Sequence, residues 1–238
     1  MNSHVSREEP SDSLPLSWQK LLALSGVVFA VLFVIGWFAS GGDAPDYGAS
    51  DQDWTNWASD NQWKSRIGAF AMLLAGFVFL HFAATIRTTL GDAETRLSSS
   101  AQLARVAFGG AITGMAGMVM AIVIISSATT EGAEVNPVVT RAIASASAGP
   151  FLLSAMGFAA FLMSAGLLTL RTGVFARWTG GVALIGAVSF LVAFAAVLSG
   201  LGEDSVFGFG FFPGVLALVI WSIAASVANY RATDAADV

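Results

Sequence analysis

The sequence contains no cysteine and only two histidines, His4 and His81. The lack of cysteine excludes disulfides, thiolate metal sites, cysteine nucleophiles and iron–sulfur clusters. Haem held by two histidines within a membrane is excluded as well, because only His81 lies in an apolar segment. We therefore expect no cofactor and no metal site.

Charged residues are also scarce: they make up 11% of the 238 residues, whereas a typical soluble domain has about 25%. Hydrophobic residues reach 55%. A chain of this composition cannot cover a water-facing surface with polar groups, so the composition predicts an integral membrane protein. The formal net charge of −5 argues against nucleic acid as a partner.

Six apolar runs of about 20 residues are each long enough to cross a hydrocarbon core of about 30 Å as an α-helix. They cover residues 18–39, 66–87, 105–128, 150–170, 178–201 and 211–230. Backbone groups in hydrocarbon must bond within their own segment, so continuous apolar runs are expected to be helical. The sequence predicts an all-α fold with six transmembrane helices in one bundle over residues 18–231. Residues 1–17 are predicted to form a disordered cytoplasmic tail, and residues 232–238 a short cytoplasmic tail.

The alternative for the first run is a cleaved signal peptide, since Phe38-Ala39-Ser40 resembles a cleavage site. The apolar core of this run, about 19 residues, exceeds the usual length of about 7–15. Acidic residues also precede it, which favours an uncleaved anchor.

Lysines and arginines concentrate in alternate connections, which sets the orientation by the positive-inside rule. One side carries Arg7, Lys20, Arg87, Arg96, Arg105, Arg171, Arg177 and Arg231. The other side carries Lys64, Arg66 and Arg141. Eight basic residues against three place the first side, with both termini, in the cytoplasm, so we predict a multi-pass protein of the inner (plasma) membrane.

The first long outer connection contains a helix start signal followed by tryptophans. Ser50-Asp51-Gln52-Asp53 resembles a capping box, and Trp54 and Trp57 are three residues apart on one helix face. This pattern predicts a short helix at the outer membrane surface. Trp54 and Trp57 are candidates for contact with the bilayer interface or with a partner protein, while Asp53 and Asp60 should face water.

Two further outer segments carry local signals. Asn136-Pro137 is typical of a helix start, with an N-cap followed by proline at the first helical position. The run 207–213, which is rich in phenylalanine and glycine, is predicted to form an aromatic loop that anchors the last span. Pro150 and Pro213 are both predicted to lie at helix starts, so that they break no span.

Small residues recur with helical spacing in several runs, for example Gly110, Gly114 and Gly117 in the third run and Gly157 in the fourth. Lipid tails are as apolar as leucine, so membrane helices associate through close packing that small residues permit. A tight seam between helices is the favoured interpretation, and a face that lines a transport pathway is the alternative.

The apolar runs also contain a few polar side chains, which we predict to form an intramembrane polar cluster near the cytoplasmic end. The candidates are His81, Ser164, Ser222, Ser226 and Asn229. An ionisable group within a span is a functional candidate, and the alternative is a neutral histidine bonded to a nearby hydroxyl.

No catalytic motif of the metalloprotease, hydrolase, P-loop or dinucleotide-binding kinds occurs, so we expect no catalytic residues and no enzyme. Transporters commonly have broken helices or charges near the membrane midplane, and neither is predicted. The favoured function is a non-enzymatic membrane component, either an interaction subunit or a binder of lipid-like molecules. A small-solute transporter or channel is the alternative. The expected partners are membrane lipids, with a second membrane protein as a further candidate.

Several short motifs stand in a distinctive order along nearly the whole chain. After the anchor and the acidic segment 44–61 come the runs 66–70 (RIGAF), 167–173 (LLTLRTG) and 177–181 (RWTGG), and the chain ends with Trp221-Ser222 and Tyr230-Arg231. This order resembles uncharacterised bacterial, mainly actinobacterial, six-span membrane proteins of the domain-of-unknown-function kind. The resemblance implies a fold and a membrane location, but no activity and no site residues.

Overall fold

The computed structural model describes residues 16–40, 44–97, 101–129, 136–199 and 206–235, and these residues contain helices, short connections and no strand. The helices are α1 (Leu16–Ala23), α2 (Ser25–Ser40), α3 (Asp51–Asp60), α4 (Gln62–Thr95), α5 (Gln102–Ser127), α6 (Pro137–Ala146), α7 (Ala148–Thr172), α8 (Arg177–Phe194), α9 (Ala196–Ser199) and α10 (Val206–Ala235). The predicted all-α class is confirmed. Of the predicted tails, residues 1–15 and 236–238 lie outside the described ranges, whereas 232–235 continue α10.

Within the described ranges, five helical segments are long and apolar enough to cross a membrane. They are Gln62–Thr95, Gln102–Ser127, Pro137–Thr172, Arg177–Leu198 and Phe207–Ala235. The first predicted run is not a single long helix, because a turn at Leu24 divides it. The 8-residue α1 precedes this turn, and the 16-residue apolar helix α2 follows it. The Leu24 N–H still donates to the Lys20 carbonyl at 3.3 Å, so hydrogen bonding continues across this turn.

The prediction for the segment 207–213 is wrong. These residues are not a loop, because α10 begins at Val206 and Pro213 lies inside the helix. A proline removes one backbone donor from a helix, but membrane helices tolerate this where a neighbouring helix packs closely. A Cβ on Gly210 would lie 2.5 Å from the Ala193 nitrogen and the Ser189 carbonyl oxygen, so this turn packs directly on α8.

The long helices form a ring in chain order. Each of α2, α4, α5, α7, α8 and α10 packs on the next, and α10 closes the ring by packing on α2. The helices run alternately up and down. We call the end that carries α3 and α6 the capped end, and the opposite end, which carries α1 and the turn at 173–176, the open end.

Glycines on α5 and α7 bring the two backbones into direct contact. A Cβ on Gly110 would lie 2.6 Å from the Phe161 nitrogen, and one on Gly157 would collide with the Gly114 backbone. A Cβ on Gly117 would lie 2.7 Å from the Pro150 carbonyl oxygen. The predicted tight seam is confirmed here, and these small residues line no pathway.

A second seam joins α2 to α4. A Cβ on Gly36 would lie 3.0 Å from the Met72 nitrogen, and one on Gly68 would lie 2.6 Å from the Ala39 carbonyl carbon. No periodic pattern of small residues indicated this seam in advance.

The interior of the ring is filled by aromatic side chains in contact with one another. From the capped end to the open end, successive ring centroids lie 5.2–6.1 Å apart in the order Phe211, Phe190, Phe158, Phe79, Phe161, Trp221 and Phe175. We call this set the aromatic column. Aromatic pairs at such distances attract one another beyond the effect of burial alone, so the column forms a packed core along the ring axis.

Candidate functional site

The capped end is built from short helices whose starts were predicted correctly. The Ser50 hydroxyl accepts a hydrogen bond from the Asp53 N–H at 3.2 Å, and the Asp53 carboxylate accepts one from the Ser50 N–H at 3.2 Å. The Asn136 side chain accepts from the Val138 N–H at 2.9 Å, with Pro137 as the first residue of α6. Both helices are therefore fixed at their first turns by local sequence.

Trp54 and Trp57 do not face the membrane surface or a partner, which corrects the prediction made for them. Trp54 is 1% exposed and Trp57 is 8% exposed, and both pack in a cluster with Ile125, Ala128 and Ala144. The helix face that carries them is apolar, as the spacing indicated. Its contact surface is supplied by α5 and α6 of the same chain, which the spacing could not reveal.

Polar contacts tie the rest of the capped end together. Arg141 on α6 forms an ion pair with Asp51 on α3 at 3.1 Å, and the Tyr47 hydroxyl lies 2.9 Å from the Ser147 hydroxyl. Burial raises the pKa of Tyr47, and the hydrogen bond with Ser147 offsets part of this rise. These two contacts join α6 and the residue after it to α3 and the segment before α3.

Towards the open end, the structure places the predicted serines inside the bundle. Ser164, Ser222 and Ser226 are all buried. The Ser226 hydroxyl accepts a hydrogen bond from the Gly26 N–H at 2.9 Å and so links α10 to α2. The Ser222 hydroxyl has no hydrogen-bond partner in the described structure.

His81 does not join these serines, and its inclusion in an interior cluster is corrected by the structure. Its side chain is exposed on the outside of the ring, where its imidazole lies edge-on to the Phe77 ring at 5.2 Å between centroids. Phe79 and Phe82, which point into the interior, fix the face of α4. At 100° per residue His81 lies about 200° from Phe79 and faces the other way.

Asn229 reaches a cleft at the open end that lies between α1, α4 and α10. We call it the inner cleft. Its volume is about 540 Å³. Its polar lining consists of Gln19, Thr85, Thr88, Thr89, Asp92, Arg96, Asn229 and Thr233. The Thr89 hydroxyl lies 3.4 Å from the Asn229 amide oxygen, which joins α4 to α10 across the cleft.

The threonine hydroxyls of the inner cleft donate to their own helices, and Thr89 also donates to the Asn229 amide oxygen on α10. Thr85, Thr88 and Thr89 donate to backbone carbonyls four residues earlier at 3.0–3.2 Å. Their oxygen lone pairs remain able to accept from a ligand. Asp92 and Arg96 add one charge of each sign, one helical turn apart. The cleft therefore offers acceptors, donors and both charges, which suits a polar head group more than a bare ion.

Apart from Asn229, none of the residues that line this cleft was predicted as a site residue. Thr85, Thr88, Asp92 and Arg96 follow the spacing of one helix face, and this polar stripe could have been read from the sequence. It was overlooked because the span was predicted to end at residue 87, whereas α4 continues to Thr95.

Glu94 near the end of α4 is the buried acid of this region. Its carboxylate accepts hydrogen bonds from the N–H groups of Leu103 at 3.0 Å and Ala104 at 2.9 Å, in the first turn of α5. A carboxylate at a helix N-terminus satisfies backbone donors and interacts favourably with the helix dipole. Glu94 thus fixes the turn between α4 and α5. In the part of the chain that the structure describes, no three histidine or acidic side chains come together as metal ligands would.

Comparison with known proteins gives a single kind of relationship. A family model described as a domain of unknown function, DUF4386, matches residues 24–226. The search of curated proteins gave no match, and neither did the search of solved structures. The matched residues include all six helices of the ring apart from the last part of α10, so the chain belongs to the DUF4386 family.

Proposed function

We propose that this chain is a six-span, non-enzymatic protein of the bacterial plasma membrane, and that its inner cleft binds the polar head of a lipid-like molecule. The observation that carries the proposal is the contrast between a filled interior and a polar cleft open at one membrane end. The protein has room for a head group in the cleft, whereas the ring axis is occupied by the aromatic column.

The sixth span is supplied by α1 and α2 together. With Leu24 they contain 25 residues, which is about 37 Å at a rise of 1.5 Å per residue and enough to cross a bilayer. In the ring α2 packs on both α4 and α10, which are themselves long enough to span. A helix with two spanning neighbours is expected to share their environment.

The orientation follows from the basic residues at the two ends. Arg87, Arg96, Arg105, Arg171 and Arg231 belong to the open end, whereas Lys64, Arg66 and Arg141 belong to the capped end. By the positive-inside rule the open end and both termini face the cytoplasm. A reporter that is active only in the periplasm should be active when fused near residue 45 or 135, and inactive near 95, 174 or 235. Activity after residue 95 or 235 would reverse the orientation.

Binding in the inner cleft is tested by photo-crosslinking. The purified chain is placed in vesicles that contain a phospholipid with a photoreactive group beside its head group, and labelled peptides are identified after irradiation. Label is expected in residues 16–23 and 229–235, which border the cleft. Asn229→Leu should reduce this label severalfold, because it removes a polar contact and fills space.

Asn56→Leu is the matched control, because Asn56 is exposed on α3 at the capped end and far from the cleft. Label spread evenly over the exposed helix faces, or an equal loss in both variants, would contradict cleft binding. The transporter alternative makes a separate prediction, which is solute uptake by vesicles that contain only this protein. Such uptake would overturn the proposal of a non-transporting component.

A further inference from the structure

A second cleft at the open end lies between α4 and α5, on the other side of the last turns of α4 from the inner cleft. We call it the arginine groove. Its volume is about 410 Å³. Its polar and aromatic lining consists of Arg87, Thr88, Asp92, Thr95, Arg105 and Phe108. Two arginines from neighbouring helices thus face one small space.

Both arginines are positioned by contacts that leave donors available. The Arg87 guanidinium lies over the Phe108 ring, 5.2 Å from its centroid, a cation–π arrangement that orients the plane of the guanidinium. The Nε–H of Arg105 donates to the Ala101 carbonyl at 3.2 Å, so the terminal nitrogens of its guanidinium remain available to donate to a ligand. Neither arginine forms an ion pair with a residue in the described part of the chain.

The charge of the groove specifies the kind of anion. Arg87 and Arg105 contribute two positive charges and Asp92 one negative charge, so the lining carries a net charge of about +1. Glu94 does not alter this balance within the groove, because its carboxylate is bonded to the first turn of α5. A singly charged phosphodiester matches the lining better than a doubly charged phosphate does. Guanidinium groups are also the preferred donors to phosphate oxygens.

The position of the groove specifies the source of the phosphodiester. Arg87 ends the apolar stretch of α4, and Arg105 precedes that of α5, so the groove lies where a bilayer changes from hydrocarbon to head groups. Ala84 lines the groove one turn before Arg87 and leads towards the apolar part of α4. A phosphate on the arginines would therefore have its acyl chains directed into the membrane.

We propose that the arginine groove binds the phosphodiester of an anionic phospholipid. The groove uses a different helix pair from the inner cleft and different charged groups, apart from Asp92, which lines both. The two sites can therefore fail independently. The probes are short-chain phosphatidylglycerol and phosphatidylcholine, titrated onto the purified full chain in a neutral detergent, with bound lipid counted by native mass spectrometry.

Phosphatidylglycerol should bind about tenfold more tightly than phosphatidylcholine at low ionic strength, and added salt should reduce this preference. Arg87→Gln and Arg105→Gln should each weaken phosphatidylglycerol binding about fivefold, as expected for one arginine at a membrane surface. Asp92→Asn should strengthen it severalfold, because the groove then carries two net positive charges. Phe108→Leu retains both arginines but releases Arg87, and should weaken binding by less than the loss of an arginine.

Arg171→Gln is the matched control, because Arg171 lies at the same end, is exposed on α7 and lines neither cleft. Equal binding of the two lipids, or an equal effect of Arg171→Gln, would overturn the proposal. Displacement of phosphatidylglycerol by millimolar inorganic phosphate would also overturn it, because the groove would then be a site for the free ion. If the arginine variants do not fold, Asp92→Asn tests the proposal instead. Unchanged or weakened phosphatidylglycerol binding by this variant would contradict binding in the arginine groove. Asn229→Leu should leave the preference for phosphatidylglycerol over phosphatidylcholine unchanged, because Asn229 lines the inner cleft and not the arginine groove, and this separates the result from that of the inner cleft.

Discussion

The two ends of the bundle differ in how some of their charged side chains are used. At the capped end, the arginine, tyrosine and serine side chains bind one another, and Arg141 with Asp51 and Tyr47 with Ser147 are examples. At the open end, Lys20 pairs with Asp234 and Glu94 caps α5. Three other charged side chains at this end line clefts and have no ion-pair partner among the described residues: Arg87, Arg96 and Asp92. The density of polar residues in the sequence is therefore a poor guide to function, because satisfied groups have little left to offer a ligand.

The largest effect is expected from Trp54→Ala, which tests whether the capped end is a structural unit. Trp54 is 1% exposed within its cluster, and truncation of a buried tryptophan costs about 3–5 kcal/mol. Thermal or denaturant unfolding in detergent measures this loss. Trp63→Ala is the control, because Trp63 is 71% exposed and should change stability by less than about 0.5 kcal/mol. Loss of lipid binding in a folded Trp54→Ala protein would contradict the separation of the two ends.

The next effect concerns the seam between α5 and α7, on which both ends depend. Gly110→Ala places a Cβ 2.6 Å from the Phe161 nitrogen and 2.7 Å from the Gly157 carbonyl oxygen, and overpacking of this kind costs about 1–3 kcal/mol. Gly109→Ala is a matched control one residue away, because its Cβ would meet no atom within 4 Å. Equal unfolding temperatures of the two variants would show that the helices do not pack this closely.

A smaller effect is expected from Ser226→Ala, which removes the side-chain link between α10 and α2 near the open end. Hydrogen bonds between membrane helices average about 0.6 kcal/mol, and the Gly26 N–H would lose its acceptor. Unfolding in detergent should therefore report a loss near that size. Ser222→Ala is the comparison, because the Ser222 hydroxyl has no partner in the described structure and its loss should be neutral or stabilising. A greater loss from Ser222→Ala would indicate a bound water or ligand at that hydroxyl.

The smallest effect is expected from His81→Leu. His81 faces the outside of the ring, so a leucine there should be accommodated by lipid with a change in stability near zero. A loss above about 1 kcal/mol, the scale of a membrane hydrogen bond, would mean that His81 has an interior partner. The same unfolding assay measures this change, with His81→Gln as a polar comparison.

Local sequence was sufficient to predict several features of this fold. The capping box at Ser50 and the N-cap at Asn136 depend on neighbouring residues only, and both are present. The seam between α5 and α7 was predictable because its glycines repeat along one face. Lengths of apolar runs located the long spans, although α4 and α10 extend well beyond the apolar part.

Features that depend on another helix could not be predicted in this way. The spacing of Trp54 and Trp57 showed a common apolar face, but not that α5 and α6 would cover it. The direction of His81 depends on which face of α4 meets the aromatic column. The inner cleft needs α1, α4 and α10 together, and among its lining residues only Asn229 was a predicted site residue.

The packing of α10 on α2 has a consequence for biogenesis. The contact between Gly26 and Ser226 joins residues 200 positions apart, so the ring cannot close until the ribosome has delivered the final helix. Before then, the Phe82 ring lacks its neighbour Trp221 on α10, whose centroid lies 6.1 Å away in the closed ring. Release of the last helix is thus the step that converts an unfinished membrane intermediate into a closed protein, and chains truncated before residue 206 should be substrates for membrane proteases.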